Sequence, residues 1–112
     1  MENFVDKDAC DNYNIIIDTL RFEWDENKNK INKRKHKITF EEAKTVFDDV
    51  EALIITDPDH SQDEERFIIL GFSIMANLLV VCHCYRADDT VIRIISARKA
   101  TKREAEQYRN AL

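Results

Sequence analysis

The chain has 112 residues, enough for one domain whose core needs neither disulfides nor a metal to hold it together. No apolar run approaches the roughly 18 to 20 residues that a membrane helix requires, and no signal peptide is evident at the N-terminus, so a membrane or secreted protein is not expected. The three cysteines make no disulfide framework. Reduced thiols fit the cytoplasm, which is the expected compartment.

The net charge of −5 is distributed unevenly along the chain. Residues 28–37 carry six Lys or Arg and no acid, residues 38–66 carry ten acids and two bases, and residues 93–112 carry six bases and two acids. Two basic segments therefore flank an acidic one. This pattern suits a domain with one anion-binding surface and another surface for a basic partner, although charge runs also occur simply as solvated faces.

The domain is expected to begin near residue 20. Residues 1–19 lack helical periodicity and are interpreted as an N-terminal extension that is partly ordered at best, which leaves residues 20–112 as a single domain. Residues 20–24 alternate in polarity as a β-strand does, so a first strand is predicted there.

Two helices are predicted next. Asp25 is a good N-cap for a helix that continues to about residue 36 and lies on the surface, because cations cover most of its circumference. Its thin apolar stripe consists mainly of Trp24 and Ile31. Thr39 and Glu42 have the spacing of a capping box and predict the start of a second helix. The buried face of the second helix should contain Phe40, Ala43 and Phe47.

The second half of the chain predicts a sheet and a final helix. Strand candidates lie at residues 52–56, 66–71, 78–85 and 91–96, and the connections between them are too short for parallel crossovers. A capping box from Thr101 to Glu104 opens the last helix, whose apolar face contains Ala105, Tyr108 and Leu112. The expected fold class is α+β: an antiparallel meander of four to five strands with two N-terminal helices and one C-terminal helix packed on one face.

The junction between the last strand and the last helix contains the most informative chemistry. Arg93 interrupts a β-branched apolar run, where an ionised guanidinium needs an anionic or hydrogen-bonding partner. Four further cations follow where the strand gives way to the helix: Arg98, Lys99, Lys102 and Arg103. Such a cluster is suited to hold phosphate groups, which makes RNA the first ligand class to consider.

Several motifs of the chain, over about residues 21–112, resemble the BrnT family of type II toxins in their order and spacing. They are Phe22-Glu23-Trp24-Asp25, Lys35-His36, Phe40-Glu41-Glu42-Ala43, Val46-Phe47, Asp49, Glu65-Arg66 and the run from Arg93 to Ala100. The resemblance implies a RelE-like ribonuclease fold, an RNA-cleaving activity that arrests growth, and a ribbon-helix-helix antitoxin encoded beside the toxin. The family usually has Gly where this chain has Lys37, so Lys37 predicts a strained turn or a different helix exit.

The resemblance to RelE-like toxins implies cleavage of RNA without metal, by a general base, a general acid and cations that stabilise the phosphorane. His36 matches the family motif and is the candidate for proton transfer; its alternative role is to interact with the last carbonyls of its helix. The candidates for stabilising the transition state are Arg66, Arg93 and Arg98. Arg93 has the alternative of a structural pair with an acid such as Glu65 or Asp25. The candidates for RNA binding are Lys30, Lys35, Lys99, Lys102 and Arg103.

The remaining candidate groups favour structural interpretations. His60 reads as a solvated turn residue and His83 as a packed sheet residue that points away from Arg93. Neither Cys82-His83-Cys84 nor Asp57-Pro58-Asp59-His60 has convincing metal-ligand spacing, so no metal or cofactor is expected. Trp24 could stack on a base, but core packing is favoured.

Two functions remain open from the sequence. The first is a toxin that cleaves mRNA, is neutralised by a cognate antitoxin and meets DNA only through it. The alternative is a non-catalytic module of the same fold that serves only as partner or co-repressor of a DNA-binding antitoxin. Fold resemblance alone does not separate the two, because function depends on the site.

Overall fold

The structure is a computed structural model that describes residues 21–57 and 65–112. The predicted N-terminal extension and the turn residues 58–64, including His60, lie outside the described residues. The elements are β1 (Arg21–Glu23), α1 (Glu26–His36), α2 (Phe40–Lys44), a 3₁₀ turn (Thr45–Asp48), β2 (Leu53–Thr56), β3 (Phe67–Phe72), β4 (Leu78–Arg86), β5 (Val91–Lys99) and α3 (Lys102–Asn110). No helix of this part of the chain is long and apolar enough to cross a membrane.

Within the described residues the sheet has five strands in the order β1-β5-β4-β3-β2. Strands β2 to β5 form the predicted antiparallel meander, and Cys84 lies opposite Arg93, so the adjacent His83 points away from Arg93 as predicted. Strand β1 instead pairs in parallel with β5, so the sheet is mixed. Short connections require antiparallel pairing only between strands that follow each other in the chain. Strand β1 pairs with β5, which is about 70 residues later, so a parallel pairing is possible.

The helices cover both faces of the sheet, so the expectation of helices on one face is wrong. Ile69 and Val81, which lie opposite each other, belong to a buried cluster with Phe40 at the start of α2. The adjacent pair, Leu70 and Val80, packs with Tyr108 of α3. Neighbouring residues of a strand point to opposite faces. Helix α3 therefore packs on the face opposite to α1 and α2.

Helix α1 buries a polar face, unlike the apolar stripe that the sequence predicted. Asp25 caps the helix as expected, since its Oδ1 accepts from the Asn27 N–H at 2.8 Å. However, the side chains on the buried face are Asn29 and Asn32, which are 5% and 6% exposed, whereas Ile31 is 47% exposed. The Asn29 Oδ1 accepts from the Phe40 N–H at 2.8 Å, so this face satisfies backbone groups of the following turn.

The two predicted capping boxes have different outcomes. At α2, the Thr39 Oγ1 accepts from the Glu42 N–H at 3.1 Å, but the Glu42 carboxylate accepts from Ser73 Oγ at 2.6 Å and Asn77 Nδ2 at 2.8 Å. Glu42 therefore connects α2 to the β3–β4 turn. At α3, the complete Thr101–Glu104 box is present.

Lys37 ends α1 in the left-handed conformation, with φ 64° and ψ 22°, and its N–H donates to the Lys33 carbonyl at 2.9 Å. Of the two alternatives that Lys37 predicted, a strained turn or a different helix exit, the structure shows the strained turn. The left-handed region costs an L-residue roughly 1 to 2 kcal/mol.

Replacing Lys37 with glycine is expected to raise the free energy of unfolding by about 0.5 to 1 kcal/mol, because glycine adopts φ > 0 without the Cβ clash. Lys37→Ala, which removes the same charge but keeps Cβ, is the matched control and should bring no such gain. Urea denaturation of the three proteins measures the difference. Equal stabilities of the glycine and alanine variants would contradict a strained Lys37.

Candidate active site

The C-terminal end of α1 and strands β3, β4 and β5 enclose an open cleft of about 410 Å³, here called the basic cleft. It is lined by His36, Asp57, Arg66, Ile68, Val80, Cys82, Ile95, Ser96, Ala97 and Arg98. Three of the four predicted catalytic residues, His36, Arg66 and Arg98, therefore meet at one site, although His36 and Arg98 are 62 positions apart in the chain.

Arg98 forms a bidentate ion pair with Glu104 in the first turn of α3. Its Nη1 and Nη2 donate to the two carboxylate oxygens of Glu104 at 2.8 Å and 2.9 Å, and Nη1 also donates to the Lys99 carbonyl at 3.3 Å. The hydrogen bonds from Arg98 lower the pKa of Glu104 to about 2, so the pair stays ionised at neutral pH. A guanidinium has five donors, so two N–H groups are left for a phosphate oxygen.

Arg66 is the residue just before β3, and its half-buried side chain lines the basic cleft. Its Nε is buried and has no hydrogen-bond partner in the structure. Leaving such a donor unsatisfied costs about 1 to 3 kcal/mol, and more where the group is charged. Because the Nε is inaccessible, a phosphate in the cleft would have to bind the other N–H groups of the Arg66 guanidinium.

His36 is the last residue of α1, and Asn32, one turn earlier, fixes this end of the helix to the sheet. The Asn32 Nδ2 donates to the carbonyls of Ile38 at 2.9 Å and Ala97 at 2.7 Å, and its Oδ1 accepts from the Ala97 N–H at 3.1 Å. These bonds place His36 beside the strand that carries Arg98. The sequence analysis missed Asn32; the available signal was an uncharged amide in the middle of a highly charged helix.

Arg93 lies apart from the basic cleft. Its Nη1 contacts the Glu23 Oε2 at 2.9 Å, and Glu23 also lies 3.7 Å from the Arg86 Nε. The sequence offered a structural pair as an alternative for Arg93, but with Glu65 or Asp25. Glu23 takes that place because β1 pairs in parallel with β5, in a register that sets Glu23 beside Arg93.

The predicted RNA-binding cations are exposed on the elements that border the basic cleft. Lys30 and Lys35 lie on α1, Lys99 ends β5, and Lys102 and Arg103 open α3. Lys102 and Arg103 also line a shallow depression of about 380 Å³ together with Arg109.

Cys82, His83 and Trp24 have structural surroundings. His83 is fully buried against Phe47, with ring centroids 4.8 Å apart, and desolvation lowers its pKa. Burial raises the pKa of Cys82 to about 11, so its thiol stays protonated and donates to Asp57 Oδ2 at 3.8 Å. Trp24 packs edge-to-face on Phe40, as favoured. Within the described ranges, no group of three or more His, Cys, Asp or Glu side chains is placed to hold a metal ion.

Comparisons with known proteins agree with the fold and the motifs. A crystal structure of the Brucella abortus ribonuclease toxin BrnT is similar, with a TM-score of 0.56 and 21% sequence identity over 74% of this chain and 99% of that one. No curated protein matches. The family model described as "Ribonuclease toxin, BrnT, of type II toxin-antitoxin system" matches residues 24–104. The chain therefore belongs to the BrnT family of ribonuclease toxins of type II toxin–antitoxin systems.

Proposed function

We propose that this protein is a metal-independent endoribonuclease that cleaves mRNA in the cytoplasm and arrests growth until a cognate antitoxin neutralises it. The observation that carries the proposal is the meeting of His36, Arg66 and Arg98 in the basic cleft. Membership of the family supplies the ribonuclease class and the toxin–antitoxin context. We further propose that the antitoxin is a ribbon-helix-helix protein and that the toxin associates with DNA only indirectly, through this antitoxin.

The residues of the basic cleft suit an in-line attack by the ribose 2′-oxygen on the adjacent phosphorus. The 2′-hydroxyl loses its proton as the new P–O bond forms, and the bond to the 5′-oxygen breaks as that oxygen gains a proton. His36 is the group proposed to move one of these protons. Arg66 and Arg98 would stabilise the extra negative charge on the phosphorane, since guanidinium groups match phosphate oxygens in geometry.

Cations outside the basic cleft are proposed to bind the flanking phosphates of the RNA. They are Lys30, Lys35, Lys99, Lys102 and Arg103. Arg93, in contrast, is proposed to stabilise the pairing of β1 with β5 through Glu23, because this pair occupies its guanidinium outside the cleft.

A non-catalytic role as partner of a DNA-binding antitoxin is the second candidate function. This binding role is favoured by the bidentate ion pair between Arg98 and Glu104, which gives Arg98 a structural partner in the absence of RNA. The two candidates differ in whether the purified protein cleaves RNA.

Purified protein incubated with RNA in EDTA, with and without ribosomes, is expected to cleave it. The fragments should carry a 5′-hydroxyl and a 2′,3′-cyclic phosphate or 3′-phosphate, because the 2′-oxygen is the nucleophile. Mapping the cut ends and testing their reactivity toward polynucleotide kinase checks the chemistry. Loss of cleavage in EDTA that Mg²⁺ restores would refute metal independence, and intact RNA under every condition would favour the binding module.

A further inference from the structure

Strand β2 (Leu53–Thr56) is an open edge of the sheet, since β3 is its only neighbouring strand within the described residues. The Asp57 N–H donates to the Arg66 carbonyl at 2.8 Å, and Thr56 lies opposite Phe67. Hydrogen-bonded and non-hydrogen-bonded pairs alternate in an antiparallel ladder. Ile55 therefore directs its backbone groups to β3, whereas Ile54 and Thr56 direct their N–H and C=O groups to the open side.

The side chains of this edge are apolar on both faces of the sheet. Ile54 and Ile55 are 53% and 58% exposed, and the strand sequence Leu-Ile-Ile-Thr contains no charge and no proline. Natural edge strands are usually protected by charged residues, by proline or by a covering element, because an exposed edge is a template for a further strand. The β2 edge lacks this protection in its own sequence.

An apolar groove of about 250 Å³ lies beside the open edge. Its walls are Leu53, Ile55, Ile68, Leu70 and Val80, with Glu104 and Gln107 of α3. A strand added to β2 would direct every second side chain toward this face of the sheet, so the groove is placed to accept apolar side chains from it. Ile68 and Val80 also line the basic cleft, so the groove and the cleft adjoin.

The charge around β2 identifies the kind of strand that fits. The described residues 48–57 and 65 contain neither Lys nor Arg and five acids, namely Asp48, Asp49, Glu51, Asp57 and Glu65. Glu51, which precedes β2, and Glu65, at the opposite end of the β2–β3 pair, are exposed, whereas Asp57 is buried. Antiparallel pairing of β2 with a second copy would bring these like charges toward each other, whereas a strand flanked by Lys or Arg would meet opposite charges at both ends.

We propose that the β2 edge is a docking site for the antitoxin, which adds an extended apolar segment flanked by Lys or Arg as a sixth strand. The identity of this partner rests on the proposed function, whereas the docking chemistry rests on the edge, the groove and the acidic flanks. Because the groove adjoins the basic cleft through Ile68 and Val80, a strand anchored at β2 brings the adjoining antitoxin segment to the mouth of the cleft.

The docking chemistry is tested with two nine-residue peptides that share a Val-Thr-Val-Thr-Val centre and carry two lysines or two glutamates at each end. Titration of the ¹⁵N-labelled full chain with the lysine peptide should shift the amide signals of Ile54 and Thr56, with at least tenfold tighter binding than the glutamate peptide. Equal binding of the two peptides, no binding of either, or shifts centred on Arg98 would overturn the proposal, as would self-association of the chain through β2.

Ile54→Pro removes an outward N–H while leaving the β2–β3 ladder intact, because proline is tolerated on the open side of an edge strand. It should weaken binding of the lysine peptide at least tenfold, whereas Ile54→Val should change it less than twofold. If the proline variant does not fold, Ile55→Lys, which places a cation at the groove, is expected to weaken binding of that peptide to the same extent. Unchanged binding in the folded variant overturns the docking site.

RNA cleavage separates failure of the docking site from failure of the proposed function. Folded Ile54→Pro should cleave RNA within about twofold of the unaltered protein but should escape neutralisation by the co-expressed antitoxin. An unaltered protein that leaves RNA intact would overturn the proposed function while the peptide titrations still decide the docking site. A proline variant that the antitoxin neutralises fully would overturn the β2 edge as its anchor.

Discussion

Arg66→Ala is expected to lower the rate of RNA cleavage by about 10²- to 10³-fold, which is the usual effect of removing one preorganised donor from a charged transition state. The Arg66 side chain enters the basic cleft, and its buried Nε has no partner of its own. Its guanidinium lines the cleft, where its remaining N–H groups and its positive charge can stabilise the phosphorane. Single-turnover rates of purified protein on a short RNA measure the effect.

Two matched variants separate the chemistry of Arg66 from its charge and from the stability of the protein. Arg66→Lys keeps the positive charge but loses the planar fork, so it should recover only part of the lost rate. Arg93→Ala removes an arginine that pairs with Glu23 outside the basic cleft, so its rate per folded molecule should fall much less. Thermal melts establish the folded fraction of each variant. An Arg66→Ala protein that folds normally and cleaves at the unaltered rate would remove Arg66 from the mechanism.

Asn32→Ala is expected to lower the free energy of unfolding by about 3 kcal/mol, because it leaves three backbone hydrogen-bonding groups of Ile38 and Ala97 without their partner. For a domain of this size the melting temperature should fall by roughly 12 to 20 °C. Asn32→Asp keeps an acceptor for the Ala97 N–H but directs a carboxylate oxygen at two carbonyls. It should therefore also be destabilising.

The adjacent residue provides the control for Asn32. Ile31 lies on the same helix but is 47% exposed, so Ile31→Ala should change the free energy of unfolding by about 0.5 kcal/mol or less. Urea denaturation of the three variants and the unaltered protein gives the comparison. If Ile31→Ala is more destabilising than Asn32→Ala, the buried face of α1 is assigned incorrectly.

Asn32 also has a consequence for activity, because it holds the end of α1 that carries His36 against the strand that carries Arg98. The role of Asn32 is one of positioning, since its side chain bonds to backbone groups of Ile38 and Ala97. At a temperature where Asn32→Ala remains folded, its cleavage rate should still fall. A displacement of about 1 Å at a catalytic group typically costs about 10²-fold in rate.

The elements that depend on interactions between residues close in the chain could be predicted from the sequence. Asp25, Thr39 and Thr101 begin the three helices because each side chain accepts from a backbone N–H two or three positions ahead. Alternating residues and short connections determined strands β2 to β5 and their antiparallel order. The resemblance to the family gave four catalytic candidates, of which His36, Arg66 and Arg98 line one cleft and Arg93 does not.

Features that depend on residues distant in the chain could not be predicted from the sequence and follow from the tertiary structure. The parallel pairing of β1, the position of α3 on the opposite face and the burial of Asn32 all depend on contacts across the sheet. Arg93 needed a partner, but only the register between β1 and β5 selected Glu23. Helical periodicity favoured Ile31 as the buried residue because the pattern rests on apolar side chains alone. The face of α1 that packs on the sheet is instead the one whose Asn32 side chain satisfies the backbone groups of Ile38 and Ala97.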